Sequence, residues 1–217
     1  MRRRHAPQPR LSTQRIEAFS DGVFAIAITL LVLEIKIPQL HTADQNGIPL
    51  TTALLRLWPS YFGYVFSFLM IGIYWANHHY IFHLYKQSDH VFALLNVFFL
   101  MCISFLPFPT AVLAEYITDS ARRQDAITFY ALGLLLPAVG WSLVWWYASW
   151  GHRLIDPRLD AGFVAHLTRQ YVASISLYLA AVLLSLWNST AGLAVCLGLT
   201  FLYLMPPKQP VYQDTDA

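Results

Sequence analysis

Apolar residues run along this chain in blocks too long to be one face of a soluble helix, separated by short polar stretches. About 20 mainly apolar residues let a helix cross a hydrocarbon core roughly 30 Å thick. Six blocks meet or approach that length: roughly Ile16–Ile37, Leu54–Ala76, Val91–Leu113, Ala126–Trp150, Phe163–Trp187 and Thr190–Met205. The last is short and is expected to cross with little tilt or with local thinning of the bilayer. Only Asn188 and Ser189 join the fifth block to the sixth, which predicts a tight helical hairpin. Pro107 and Pro109 are expected to bend the third span near its end, and Pro137 the fourth. The pattern therefore predicts an all-α, polytopic membrane protein with six transmembrane helices. Residues 15–206 form one transmembrane domain between a basic segment, 1–14, and a tail, 207–217. No internal repeat or low-complexity stretch is evident.

Composition supports this reading. Of 217 residues, 57% are hydrophobic and 12% charged, about half the charged fraction of a soluble domain. Several aromatics stand at the ends of apolar runs, where interfacial rings sit. A net charge of +2, spread along the chain, gives no reason to expect a nucleic-acid partner. Cys102 and Cys196 lie inside apolar blocks and read as buried thiols rather than a disulfide framework. Arg2, Arg3 and Arg4 precede the first block in the manner of a signal peptide. That block is too long for one, contains Asp21 and Glu34, and lacks a small-x-small cleavage site, so it reads as a retained span.

Positive charge alternates between the connections. Arg2, Arg3, Arg4, Arg10 and Arg15 precede or open the first span, whereas the 38–53 loop has no Lys or Arg. Lys86, Arg153, Arg158 and Lys208 fall in the second and fourth loops and the tail. Arg122 and Arg123 break the pattern, partly offset by Glu115, Asp119 and Asp125. The positive-inside rule places both termini in the cytoplasm of a cell whose plasma membrane the chain spans.

The first span carries the most chemistry. On a wheel of about 100° per residue, Asp21 projects nearly opposite the Ile26/Leu30/Leu33 stripe. Arg15 lies on the other side, so Arg15 and Asp21 make a poor intrahelical pair; their partners are expected from other helices or another subunit. An ionisable group just inside a membrane helix faces protein, water or a partner charge. It also suits a simpler role, with Ser20 and Asp21 near the helix start and Arg15 snorkelling to headgroups. Ile26, Thr29, Leu30 and Leu33 share a face at i, i+3, i+4 and i+7. That face fits lipid contact or packed core. It equally fits a hydrophobic constriction that gates ions by dewetting, with Thr29 supplying hydroxyls. Glu34, about 40° from Leu30, either forms an acidic outer mouth or pairs with Lys36 or headgroups.

The run Arg15-x-x-x-Phe19-Ser20-Asp21, followed by Gly-Val-x-Ala-Ile-x-x-Thr-Leu-Leu-Val-Leu-Glu, resembles the signature of the transmembrane protein 175 family of potassium channels. Tyr74-Trp75-Ala-Asn77-His78-His79 and Ser104-Phe-Leu-Pro-Phe-Pro-Thr110 extend the resemblance. It implies a weakly to moderately potassium-selective cation channel without the glycine-rich filter; no Thr-Val-Gly-Tyr-Gly run is present. It implies that the first helix lines the pore, with a constriction at Ile26 and further layers at Thr29, Leu30 and Leu33. It also implies a hydrogen-bonded network behind that helix involving Arg15, Phe19, Ser20 and Asp21. A chain with one six-helix repeat implies a homotetramer, as in prokaryotic members, and closed symmetry is the usual way for single helices to enclose a pore. Potassium ions permeate; no cofactor is expected.

Other features carry less. His79 and His83 stand one helical turn apart, but no acidic residue lies in their segment, so a metal site is not expected. Trp75, Asn77 and His78 are better placed to bond Ser20 and Asp21, and the histidines suit a proton-sensitive role. Asn188-Ser-Thr is a sequon in a turn too tight to favour use. Arg169 snorkels alone, without the repeated arginines of a voltage sensor. The competing function is a proton-coupled secondary transporter using Asp21 and the histidines, but neither a repeat nor a deep acidic pair supports it. An enzyme would need a nucleophile–base pair or a metal constellation, and none stands out.

Overall fold

The computed structural model describes residues 13–38, 48–205 and 207–213. Its regular structure is helical: α1 (Thr13–Leu30), α2 (Leu50–Arg56), α3 (Trp58–Phe82), α4 (His90–Phe105), α5 (Pro107–Tyr116), α6 (Arg123–Ser149), α7 (Ala161–Ser185) and α8 (Ser189–Tyr203). Short 3-10 turns, Leu31–Glu34 and Trp150–His152, extend α1 and α6. Strand pairing among the described residues is limited to the isolated bridges Tyr85–Ile155 and Leu159–Tyr212. The basic segment 1–12, most of the 38–53 loop and the end of the tail lie outside the described residues.

Local chemistry sets the helix ends. The carboxylates of Asp89 and Asp160 accept from the Phe92 and Phe163 amides at 2.8 and 2.9 Å, and Asn188 accepts from the Ala191 amide at 3.0 Å. Each satisfies one of the orphan N–H groups of a helix start. Pro59 and Pro107 occupy the first turns of α3 and α5, where a missing N–H costs nothing. The helix breaks before each of them. The third predicted span accordingly divides at Leu106 into α4 and α5, whereas α6 remains one helix through Pro137.

Four stretches are long and apolar enough to cross a membrane: Thr13–Glu34, His90–Tyr116, Arg123–His152 and Ala161–Ser185. The bent pair α2 and α3, with 46° between them, makes a fifth if taken as one span. This span reaches Phe82 rather than ending at Ala76, because the aromatic run continues through Tyr80, Ile81 and Phe82. The sixth predicted block is α8, whose 15 residues are roughly 22 Å long. Val65, Leu94, Phe108, Leu132 and Leu179 are exposed on the outer surface, as suits a hydrocarbon solvent. The chain is a helical membrane protein.

The centre of the bundle is α6, buried on several faces through Ile127, Tyr130, Leu134, Ala138, Trp141, Trp145 and Ala148. It packs on α4, α5, α7 and α8, while α1 lies outside, against α3 and α4. Close approach needs small residues: a Cβ on Gly192 would lie 2.6 Å from Ser185 Cβ, so α8 meets α7 backbone to backbone. The α3–α4 loop is pinned to the α6–α7 loop by Lys86 N–H to Leu154 O and Asp156 N–H to Leu84 O, both 2.9 Å. The buried Asp156 carboxylate accepts from Arg158 Nη2 at 2.8 Å and lies 3.4 Å from Lys86 Nζ. Hydrogen bonding to the Arg158 guanidinium holds this carboxyl well below the usual carboxylate range.

Candidate functional site

The two sides of α1 meet different surroundings. Ser20, Phe24, Ala27 and Leu31 recur at helical spacing and are buried against α3 and α4. Facing away are Ile26, Thr29, Leu30 and Leu33; Ile26 is 60% and Leu33 69% exposed. Phe19 is also exposed, at 57%, and Gly22 has open space where a Cβ would be. The chain thus buries one face of its first helix and leaves the apolar Ile26/Thr29/Leu30/Leu33 face without a partner of its own. The Thr29 hydroxyl donates back to the Ala25 and Ile26 carbonyls, at 3.0 and 2.9 Å. Its proton is therefore directed into the helix, and its oxygen lone pairs remain available to a cation.

Behind that face runs a buried polar chain. Asn96 of α4 donates from Nδ2 to Ser20 Oγ at 2.9 Å, and Ser20 donates in turn to Ile16 O at 2.8 Å. With its amide nitrogen so used, Asn96 presents Oδ1 to His78 Nε2 at 3.1 Å, so Nε2 carries the imidazole proton. The residues Ser20, Asn96 and His78 are almost fully buried, and His78 Nδ1 has no hydrogen-bond partner. The imidazole stacks on Phe82, with centroids 4.1 Å apart, and meets Phe24 edge-on at 5.4 Å. Phe99 and Trp141 complete the aromatic surround. One serine on α1 is thereby tied to both supporting helices.

At the next residue of α1, Trp75 donates its indole N–H to Asp21 Oδ1 at 3.0 Å. One turn earlier, Glu17 lies 3.2 Å from His79 Nδ1, and the His79 ring meets His83 edge-on at 4.7 Å. The other expected members sit apart. Asn77 donates to Ile73 O of its own helix at 2.9 Å, and Arg15 is exposed. Glu34 is half-buried at the other end of the span, and among the described residues it makes no ion pair with Lys36. No group of three or more His, Cys, Asp or Glu side chains among the described residues could hold a metal ion.

Sequence reasoning missed Asn96, the centre of the polar chain. The available signal was a lone amide seven residues into an apolar helix start, which must find a partner inside the protein. Glu17 was passed over too, although it precedes Asp21 by one turn.

A family model described as endosomal/lysosomal potassium channel TMEM175 matches residues 15–107, which take in most of α1 and all of α2, α3 and α4. The chain is 44% identical over 193 residues to a potassium channel of Chamaesiphon minutus, covering 89% of this chain and 94% of that protein. It is 46% identical over 147 residues to a potassium channel of Streptomyces collinus, covering 68% and 69%. The crystal structure of a lysosomal potassium-selective channel TMEM175 homolog from Chamaesiphon minutus superposes with a TM-score of 0.78 at 42% identity, covering 88% of this chain and 96% of that one. By sequence and by fold, the chain belongs to the TMEM175 family of ion channels rather than to any class of enzyme.

Proposed function

We propose that this chain is one subunit of a homotetrameric, potassium-permeable cation channel of the plasma membrane, its pore lined by α1. The observation that carries the reading is the division of α1 into a face buried by its own chain and an apolar face left exposed. A single helix cannot enclose a conduit, and four copies around a closed axis turn each exposed residue into a ring. Ile26 then forms a hydrophobic constriction, followed by layers at Thr29, Leu30 and Leu33, with Glu34 concentrating cations at the outer mouth. Such rings resist ion passage by dewetting, and selectivity follows the cost of stripping hydration water, lower for potassium than for sodium. The Thr29 oxygens replace part of the lost shell. Selectivity on this basis is weak to moderate, since no carbonyl cage is involved. The relatives named as potassium channels support the choice of ion.

In this arrangement Trp75, His78 and Asn96 hold α1 from behind, so Ser20 and Asp21 of the Arg15–Asp21 motif act by positioning the pore helix; Asn77 instead borders a cavity between α3, α6, α7 and α8, away from α1. All six apolar segments cross the membrane, α8 with local thinning of the bilayer. Residues 1–14 and the tail lie in the cytoplasm, with Lys86, Arg153, Arg158 and Lys208 on the same side. Recording from purified protein in planar bilayers under opposed potassium and sodium gradients tests the proposal. Currents far above carrier turnover, reversing toward the potassium equilibrium potential, are expected. Slow flux strictly coupled to a second substrate would overturn it.

A further inference from the structure

A second feature lies away from α1, where α8 is shorter than its neighbours. The helices α3 and α7 have 25 residues each and α8 has 15, a deficit of roughly 15 Å. The tight Trp187–Asn188 connection keeps the start of α8 level with the end of α7, so the missing length falls at the end where α7 begins. There the bundle contains a cavity of about 380 Å³, bordered by Met70 and Tyr74 of α3, Trp141 of α6, and His166 and Gln170 of α7. A neighbouring space of about 440 Å³ shares Ile73, Asn77, Tyr203, Met205 and Pro207 with it and reaches the exposed α3 surface at Phe68 and Leu69. The two make a continuous recess open between α3 and α8.

The tail closes the recess at the helix-end level. Tyr80 donates to the Lys208 carbonyl, and the Asp160 amide donates to Val211 O at 2.9 Å, strapping residues 207–213 across the end of α3 and the start of α7. The recess is mainly apolar along its length, interrupted by Ser142 and Ser174, and its larger polar groups, Asn77, His166, Gln170 and Lys208, gather toward the strapped end. Lys208 is its one charged residue, and among the described residues no carboxylate borders it. Within a bilayer such a space is filled by what surrounds it. Length, polarity and charge match an acyl chain lying in the groove with an anionic headgroup at the Lys208 end.

We infer that the recess between α3, α7 and α8 is a binding site for an anionic phospholipid drawn from the leaflet on the side of the tail. The inference rests on the fold and the membrane setting, independently of how ions pass along α1. Trp141 borders the cavity and reports on it. The full-length protein is reconstituted in phosphatidylcholine vesicles with increasing fractions of phosphatidylglycerol brominated on its acyl chain. The Trp141 contribution is isolated by subtracting the fluorescence of Trp141→Phe.

The Trp141 emission is expected to be quenched saturably by brominated phosphatidylglycerol and restored by the unbrominated lipid. The preference over brominated phosphatidylcholine should be roughly fivefold, the ratio one basic residue supplies near an anionic headgroup. Lys208→Glu should abolish that preference, and Ser142→Phe, which fills the cavity, should abolish the quenching itself. Both variants are first shown to elute as the parent oligomer; if Ser142→Phe misfolds, Lys208→Glu alone decides. Equal quenching by the two lipids, a preference that survives Lys208→Glu, quenching by brominated free fatty acid alone, or no quenching because a neighbouring subunit covers the groove would each overturn the inference.

Discussion

Replacing Asn96 with leucine should loosen α1 from its supports by a calculable amount. The substitution keeps approximately the same volume and deletes both ends of the bridge between Ser20 and His78. Ser20 keeps its bond to Ile16 O, so its loss is small. His78 is the stranded group: its Nε2–H is buried, packed among Phe24, Phe82, Phe99 and Trp141, and has no other acceptor. An unsatisfied buried donor costs about 1–3 kcal/mol. Interhelical hydrogen bonds in membranes average nearer 0.6, with a maximum around 1.7 kcal/mol. A loss of about 1–2 kcal/mol is expected, which corresponds to a fall in Tm of roughly 2–8 °C for a chain of this size. The same logic predicts a rescue. His78→Phe keeps the stack on Phe82 but strands the Asn96 amide oxygen, so it too destabilises when made alone. In the double variant donor and acceptor leave together, and the combined cost should fall short of the sum by about 1 kcal/mol. Melting curves in detergent, read by size-exclusion chromatography of the oligomer, measure all four proteins. Additive costs, or an Asn96→Leu variant as stable as the parent, would refute the view that this chain fastens α1 to α3 and α4.

Other outcomes follow from the same structure. Ile26→Asn should wet the proposed constriction, raising single-channel conductance or moving the reversal potential away from potassium; wild-type behaviour would remove Ile26 from that role. Gly192→Leu should cost about 1–3 kcal/mol or more in thermal stability, because a side chain there overlaps Ser185 backbone and Cβ atoms at 2.6–2.9 Å. Asp156→Asn should lower Tm at neutral pH, since the carboxyl is held below its ordinary value by Arg158 and also faces Lys86. That stabilisation exists above the unfolded carboxyl's pKa of about 4 and fades as pH falls below it. The gap between variant and parent melting temperatures should therefore narrow toward pH 3.

The fold and the site were legible in the sequence to different depths. Long apolar blocks fixed the helices, because hydrocarbon leaves a spanning backbone few options. The break at Leu106 followed from Pro107 and Pro109, yet Pro137 left α6 uninterrupted, since packed neighbours tolerate a proline inside a membrane helix. The wheel separated the faces of α1, and the buried Ser20/Phe24/Ala27/Leu31 row lies opposite the apolar stripe. What the wheel could not supply was tertiary pairing. Trp75 reaches Asp21 across two helices, but Asn77, two positions on, turns back to its own Ile73 carbonyl. Asn96 passed unnoticed because periodicity marks a polar residue in an apolar run as an exception without naming its partner. The α8 shortfall was visible as a short block, but the recess beside it depends on where α3, α7 and the tail lie.

The central claim is that the exposed face of α1 lines the conduction path, and cysteine accessibility along that helix tests it most directly. Single cysteines replace Ile26, Thr29, Leu30 and Leu33, and, on the buried face, Phe24 and Ala27. Current through reconstituted channels is recorded while a charged, water-soluble thiol reagent is applied; the native Cys102 and Cys196 are buried. Rapid, irreversible block at the four exposed positions, with none at Phe24 or Ala27, is the predicted pattern. Block that ignores this periodicity, or unchanged current with all four positions modified, would contradict the account.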